Sequence, residues 1–275
     1  MKRLMTVFLV VGVVFLFSSS SLAQKYHKGH NFGISYNIAD FNYERAGTDK
    51  DGLMQGFSLD YFNENRKDLF VGFNFDYLIG DINTKGNIIK NSNIDIDSDS
   101  QNYIVDGKLI AGKRINHKGL TWRPYTGFGI RYWDNKVDGL EGTIDGINVS
   151  YDGSESTYYY TPIGTMVSRD LNNKWHLKLN VFYKLFWSGD VKYNYNVGNY
   201  SDDIDVSQDF FDAHGFTASI DLTYNLNQYT ISLNPYINYW DVEESDITNI
   251  GNSDVYFYEP SNETLMYGSK ITLNF

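Results

Sequence analysis

Apolar and polar residues alternate along nearly the whole chain with a period of two. In Trp175 to Trp187, WHLKLNVFYKLFW, one parity gives Trp175, Leu177, Leu179, Val181, Tyr183, Leu185 and Trp187. The other gives His176, Lys178, Asn180, Phe182, Lys184 and Phe186. Such alternation predicts a strand with one apolar face. Its length fits a strand tilted through a bilayer, which needs about 9–11 residues. The same reading gives faces Leu69, Val71, Phe73, Phe75 and Tyr77; Trp122, Phe128, Ile130 and Tyr132; Phe216, Ala218, Ile220, Leu222 and Tyr224; and Tyr229, Ile231, Leu233, Ile237 and Tyr239.

The pattern predicts ten strands, near 30–44, 53–63, 68–80, 102–114, 120–133, 157–169, 174–188, 213–225, 228–241 and 263–275. Short connections follow strands two, four, six and eight: NENRK, INHKG, DLNNK and NLNQ. The connections after strands three, five, seven and nine are long and rich in Asp, Asn, Gly and Ser. An even strand number with alternating short turns and long loops predicts an all-β, antiparallel up-and-down transmembrane barrel, turns in the periplasm and loops outside. No later apolar run reaches the length of a membrane helix, and a closed barrel is the other structure that satisfies its backbone in lipid. Tyr158, Tyr159 and Tyr160 leave the parity of strand six open.

The two ends of the chain agree with export. Lys2 and Arg3 precede an apolar run from Met5 to Phe17, and Ser21-Leu22-Ala23 carries small residues for cleavage. This pattern predicts a signal peptide over residues 1–23, Sec-dependent export, cleavage after Ala23, and a barrel domain over 24–275. At the other end Leu265, Tyr267, Ile271, Leu273 and Phe275 share a face, so the last strand closes the barrel against the first. A terminal phenylalanine behind alternating apolar residues resembles the signal read by the barrel-assembly machinery of Gram-negative bacteria. The partners expected are that machinery, through Phe275, and outer-membrane lipid and lipopolysaccharide, with the protein a monomer.

Composition narrows the chemistry. Aromatics make up 17% of the 275 residues, with 23 Tyr, and those at predicted strand ends fit interfacial girdles. There is no Cys, so disulfides and thiolate metal sites are excluded. The formal charge is −11, and removal of Lys2 and Arg3 makes it more negative, a poor basis for binding nucleic acid. No phosphate loop, His-based metal motif or catalytic triad order is present, and no cofactor is expected.

The polar parity places Asp60, Asp76, Asp106, Lys108, Arg114, Arg123, Arg131, Lys178, Lys184, Asp221, Lys270 and His176 inside. Paired charges of both signs predict a lumen that plugs itself; a small selective pore is the other reading. Asp95, Asp97 and Asp99 are candidate Ca²⁺ ligands in a loop, set against solvated acids that hold no metal. Tyr193, Tyr195, Tyr200, Tyr256 and Tyr258 are candidate carbohydrate-stacking residues of the loops.

In layout the chain resembles the omptin family of outer-membrane proteases with tall ten-stranded barrels. The resemblance runs through Asp106 to Asp134, Thr161-Pro162-Ile163-Gly164 and Phe182-Tyr183 to Phe186-Trp187-Ser188-Gly189. It implies an Asp pair facing an Asp-x-His pair at the top of strand seven, with a water between. Strand seven offers Asp190 without a His two residues on; Asp212-Ala213-His214 opens strand eight, and Asp95 and Asp97 imitate the Asp pair. The candidate catalytic residues are therefore Asp190, Asp212, His214, Asp95 and Asp97. The parity of strand eight puts Asp212 and His214 on the outer wall. The leading expectation is a non-enzymatic barrel whose acidic surface loops serve binding, adhesion or membrane integrity. An omptin-like aspartyl-type endopeptidase and a small porin are the alternatives.

Overall fold

The computed structural model describes residues 30–275 apart from 66, 88–94, 145–146, 198–199, 227 and 250–255. Ten strands form the wall: β1 His30–Arg45, β2 Thr48–Glu64, β3 Leu69–Asn87, β4 Asp95–Lys113, β5 Leu120–Ile144, β6 Ile147–Asp170, β7 Trp175–Val197, β8 Ala213–Leu226, β9 Tyr229–Val242 and β10 Asn262–Asn274. Each pairs antiparallel with its neighbours in sequence, and β10 also pairs with β1, so the sheet closes into a barrel. Leu273 faces Ile34 on one side and Ile231 on the other. Each of the ten wall strands is thus flanked on both sides, so the closed part of the wall has no edge to template association.

Periplasmic turns are built by asparagine. Asn65 Oδ1 accepts from the backbone N–H of Lys67 at 2.9 Å and of Leu69 at 3.1 Å. Asn172 Oδ1 accepts likewise from Lys174 at 2.9 Å and Trp175 at 3.0 Å. These side chains take the place of a backbone acceptor and turn the chain within a few residues.

Ile38, Leu53, Val71, Leu109, Ile130, Ile163, Val181, Ile220, Leu233 and Ile271 point outward and form an exposed apolar band around the barrel. Aromatic contacts trim it, including Trp175–Tyr224 at 4.8 Å between centroids and Phe128–Trp187 at 5.3 Å. A soluble protein would not leave such a band in water; a barrel in lipid requires it.

The wall extends well above this band. The segments read from sequence as long loops after strands three, five and seven are largely strand. β5 and β6 stay paired to a hairpin end at Ile144 and Ile147, with a register shift between Lys136 and Leu140. The segment Tyr200–Gln208 folds back as a further strand along the top of β7, Val206 opposite Val191. At about 3.3 Å per residue, the 25 residues of β5 run roughly 80 Å, against an apolar band about 25 Å tall. Strand six alternates without a break: Tyr158 and Tyr160 are buried inside and Tyr159 lies outside against Phe128, while the extra residue at this register step, Trp187, belongs to β7.

Side chains fill the lumen. One cluster holds Tyr158, Tyr160, Phe182, Phe186 and Trp240; the other holds Phe41, Met54, Ile104, Trp133 and Met266. Ion pairs lie among them, Lys270 with Asp76 and, at 3.0 Å, Lys178 with Asp221. Tyr160 donates to Asp106 Oδ1 at 2.8 Å. Lys184 donates to Asn238 and to the carbonyl of Tyr239, and its Nζ lies 4.3 Å from the centre of the Trp240 ring. The Arg131 guanidinium sits over the same ring at 5.7 Å. A cation on the face of a tryptophan is attracted by the ring quadrupole, which holds both charges where few acceptors exist.

Candidate functional site

The residues expected to carry peptidase chemistry are not brought together. Asp190 lies on the outer face of β7, exposed, where Ser207 Oγ donates to it at 3.3 Å. Its lumen-facing neighbours are Gly189 and Val191, both buried. Asp212 closes a turn before β8, its Oδ2 accepting from Asp209 N–H at 2.6 Å. His214 shares the outward parity of Phe216 and Ile220, lies beside Tyr183, and is 3.8 Å from Asp241. A general base works on a water it can reach inside the site, and these side chains face outward along different strands. Asp95 and Asp97 lie in β4 opposite Asn87 and Lys85 by backbone register; their side chains are outside the described residues. Asp99, the third candidate Ca²⁺ ligand, is exposed opposite Asn83. Among the described residues no cluster of three or more acids or histidines has metal-binding geometry.

Two other arrangements appear instead. The first is an acidic wall. Asp241, Glu263, Glu44 and Asp49 are successive partners across β9, β10, β1 and β2, all on the outer surface just above the apolar band. Asp40 and Asp51 continue the patch along β1 and β2, beside an open cleft of about 340 Å³. Like charges directly opposite one another in a sheet are destabilising. The wall keeps three such steps in one row.

The second arrangement lies inside the mouth. The strands expected at 30–44 and 53–63 leave an intermediate connection between them, but β2 begins at Thr48, and the inward parity of Met54 runs on to Lys50 as that of Phe41 runs to Tyr43. Lys50 Nζ lies 5.4 Å from the Tyr43 ring and 5.3 Å from the Trp133 ring. Arg45 donates to Tyr193 OH at 3.1 Å and lies over that ring. Tyr193, read from sequence as a loop residue, is buried here. Glu259, just before β10, reaches in from above and is 3.4 Å from Arg45 Nη1. Burial pushes its carboxyl up to about 7, against the pull of Arg45 and Lys50. The signals for this cluster in the sequence were weak: a Lys among aspartates and a Glu before a proline.

Among solved structures, the chain is similar to the outer membrane protease OmpT from Escherichia coli, with TM-score 0.62 and 10% identity over 94% of this chain and 99% of that one. The likeness is one of fold. Neisserial surface protein A gives TM-score 0.35 at 10% identity, covering 89% and 97%. Ail, the attachment invasion locus protein of Yersinia pestis, gives 0.33 at 13%, covering 89% and 99%. No curated protein matches the sequence. The protein is thus a closed ten-stranded barrel of the outer membrane with an omptin-like frame. The autotransporter beta-domain family matches residues 9–211, more than half of the chain, and the chain belongs to that family.

Proposed function

We propose that the protein is a non-catalytic surface barrel whose projecting wall serves binding and adhesion. The observation that carries this is the row Asp241, Glu263, Glu44 and Asp49 on the outer face above the apolar band. Four carboxylates in register cost stability. They pay for it only if something positively charged lies against them, and in a surface protein the candidates are basic partners and the cations of the lipopolysaccharide layer. The packed lumen supports this reading over a pore. The outward placement of Asp190 and His214 supports it over an omptin-like peptidase.

The test compares cells bearing the native protein, the variant Asp241→Asn/Glu263→Gln/Glu44→Gln/Asp49→Asn, and a control neutralised at Asp152, Asp205, Glu244 and Asp246. Adhesion to a basic surface is expected to fall with the first variant and to hold with the control. Equal loss in both would show that net charge alone is at work. A mixed peptide library incubated with the refolded native protein is expected to stay intact; cleavage would overturn the non-catalytic reading.

A further inference from the structure

We propose that the mouth of the barrel is a binding site for a soluble oxyanion, a carboxylate or phosphate carried on a sugar ring, and that Glu259 occupies this site as the chain's own stand-in. The site is distinct from the acidic wall, which faces outward, and it does not depend on that reading.

Three observations converge. First, two cations serve one acid. Arg45 and Lys50 both turn inward at the top of the first hairpin, and Glu259, the most buried of the three, is the carboxylate whose charge acts on both. Lys50 is 8% exposed, and the contacts described for its Nζ are two ring faces. Burial holds its ammonium down to about 7 against the pull of Glu259, so an anion brought beside it would favour the charged form.

Second, Glu259 is a poor fit. Its Oε1 accepts from Asn262 Nδ2 at 3.2 Å and the Tyr43 hydroxyl supports the carboxyl, while Oε2 stands off from Arg45 at ion-pair distance. A guanidinium matched to a carboxylate normally forms two short parallel bonds. Its raised proton affinity agrees with this, because a well-matched carboxylate would be held below its ordinary range.

Third, the acid is carried by a segment outside the barrel ladder. Glu259 N–H donates to Ser245 Oγ at 2.8 Å, and Ser245 N–H donates to the Glu259 carbonyl at 2.9 Å. These bonds, a short ladder of Thr248 and Asn249 with Phe257 and Tyr256, and the contacts to Asn262 and Arg45 hold it in place. Tyr43, Trp133 and Tyr193, each nearly fully buried, pack around the two cations, with Tyr43 and Trp133 edge to face at 5.0 Å. Flat aromatic walls beside two cations suit a ring that bears an oxyanion, the ring lying on the aromatics and the charge meeting Arg45 and Lys50.

The experiment uses the full mature chain refolded in detergent, with folding confirmed by the heat-dependent gel mobility of each variant. Sodium glucuronate, inorganic phosphate and neutral glucose are titrated calorimetrically. Glu259→Ala, which empties the site, is expected to bind glucuronate about tenfold tighter than the native chain, because a self-occupied site lowers apparent affinity by the open fraction. Phosphate is expected to compete with glucuronate at lower affinity, and glucose not to bind. Adding Arg45→Gln or Lys50→Met to Glu259→Ala is expected to abolish binding. No saturable binding to folded Glu259→Ala would overturn the proposal, as would binding indifferent to Arg45 and Lys50. Equal binding of glucose would show stacking without an oxyanion site, and would overturn it too.

Discussion

Glu64 Oε1 lies 2.6 Å from Arg114 Nη1, and its Oε2 lies 3.2 Å from Arg123 Nε. One buried carboxylate at the end of β2 thus ties together the chain just past β4 and the start of β5 at the periplasmic rim. Glu64 was assigned from sequence to a turn, so the acid that satisfies two inward arginines went unseen. Glu64→Gln takes the carboxylate from Arg123 and leaves Arg114 with Asp68 alone, in a nearly closed site. A loss of about 3 kcal/mol is expected, since breaking a buried pair strands its partner. The exposed Asp170, 2.7 Å from His176, is the contrast: Asp170→Asn should cost less than about 1 kcal/mol. Urea unfolding in detergent, followed by gel mobility, measures both. Equal midpoints for the two variants would count against the buried tie.

Gly129 faces the lumen against Tyr160. A β-carbon there would come within 2.2 Å of the Tyr160 ring. The ring is held by its bond to Asp106 and by the edge-to-face contact with Trp240. Gly129→Ala must displace it, at a cost of about 1–3 kcal/mol. Gly47, at φ 80° in an open turn with nothing within 4 Å of a β-carbon built on it, has room for a side chain and needs a residue that accepts the left-handed region, as Asn does. Gly47→Asn should therefore be nearly silent in the same assay.

The Glu259 carboxyl titrates at about 7 in the closed mouth and near 4.5 when free. The folded value is raised, so closure is best supported below about pH 4.5 and loses support as pH rises through 7. The difference is worth about 3 kcal/mol across that window. Chymotrypsin cleavage at Tyr256, Phe257 and Tyr258 should be faster at pH 8 than at pH 6 once divided by the rate for Glu259→Gln. A ratio independent of pH would remove Glu259 as the titrating group.

Trp240 is the centre of the lumen plug, with Lys184 and Arg131 on its ring and Tyr158 and Tyr160 against it. Planar bilayers containing the native protein should show no steady conductance. Trp240→Gly is expected to open ion passage by removing the partner of two cations. Steady conductance of the native chain would contradict the packed interior.

We propose that Phe275 is read by the assembly machinery. In the folded barrel it donates its N–H to the Phe32 carbonyl at 2.9 Å and sits on the lipid-facing parity of Leu273 and Ile271. Phe275→Ala should lower the amount of barrel in the outer membrane of cells while leaving refolding in detergent unchanged. An equal loss in both settings would assign it a structural role alone.

The membrane-crossing part of the fold was legible in sequence because lipid and lumen impose opposite polarity on the two faces. Trp175 to Trp187 shows this: its outward residues are exposed and apolar, and Lys184 is inside. Above the band the contrast vanishes, since the outer face meets water. Tyr151 to Ser156 in β6, YDGSES, has the composition of a loop yet pairs with β7 on both sides of a register step at Asp152. There the ladder of backbone hydrogen bonds carries the strand, and side-chain pattern does not report it. The mouth cluster was hidden for a related reason. Lys50 lies among Asp49 and Asp51 in sequence, and only the pleat sends it inward while they point out. The absence of Asp-x-His on β7 was visible in sequence, and so was the outward parity of His214.

Because the upper wall is pleated and paired rather than looped, its length can change only by certain steps. One residue inserted in β6 would exchange the inner and outer faces of everything above it unless a bulge absorbed it, as the register step at Asp152 does. Two residues, added to both arms of the β5–β6 hairpin, would lengthen the projection and keep its faces. Natural variation in this part of the molecule should therefore come in even increments at the hairpin end beyond Ile144 and Ile147, where the barrel's height can drift while its mouth stays as it is.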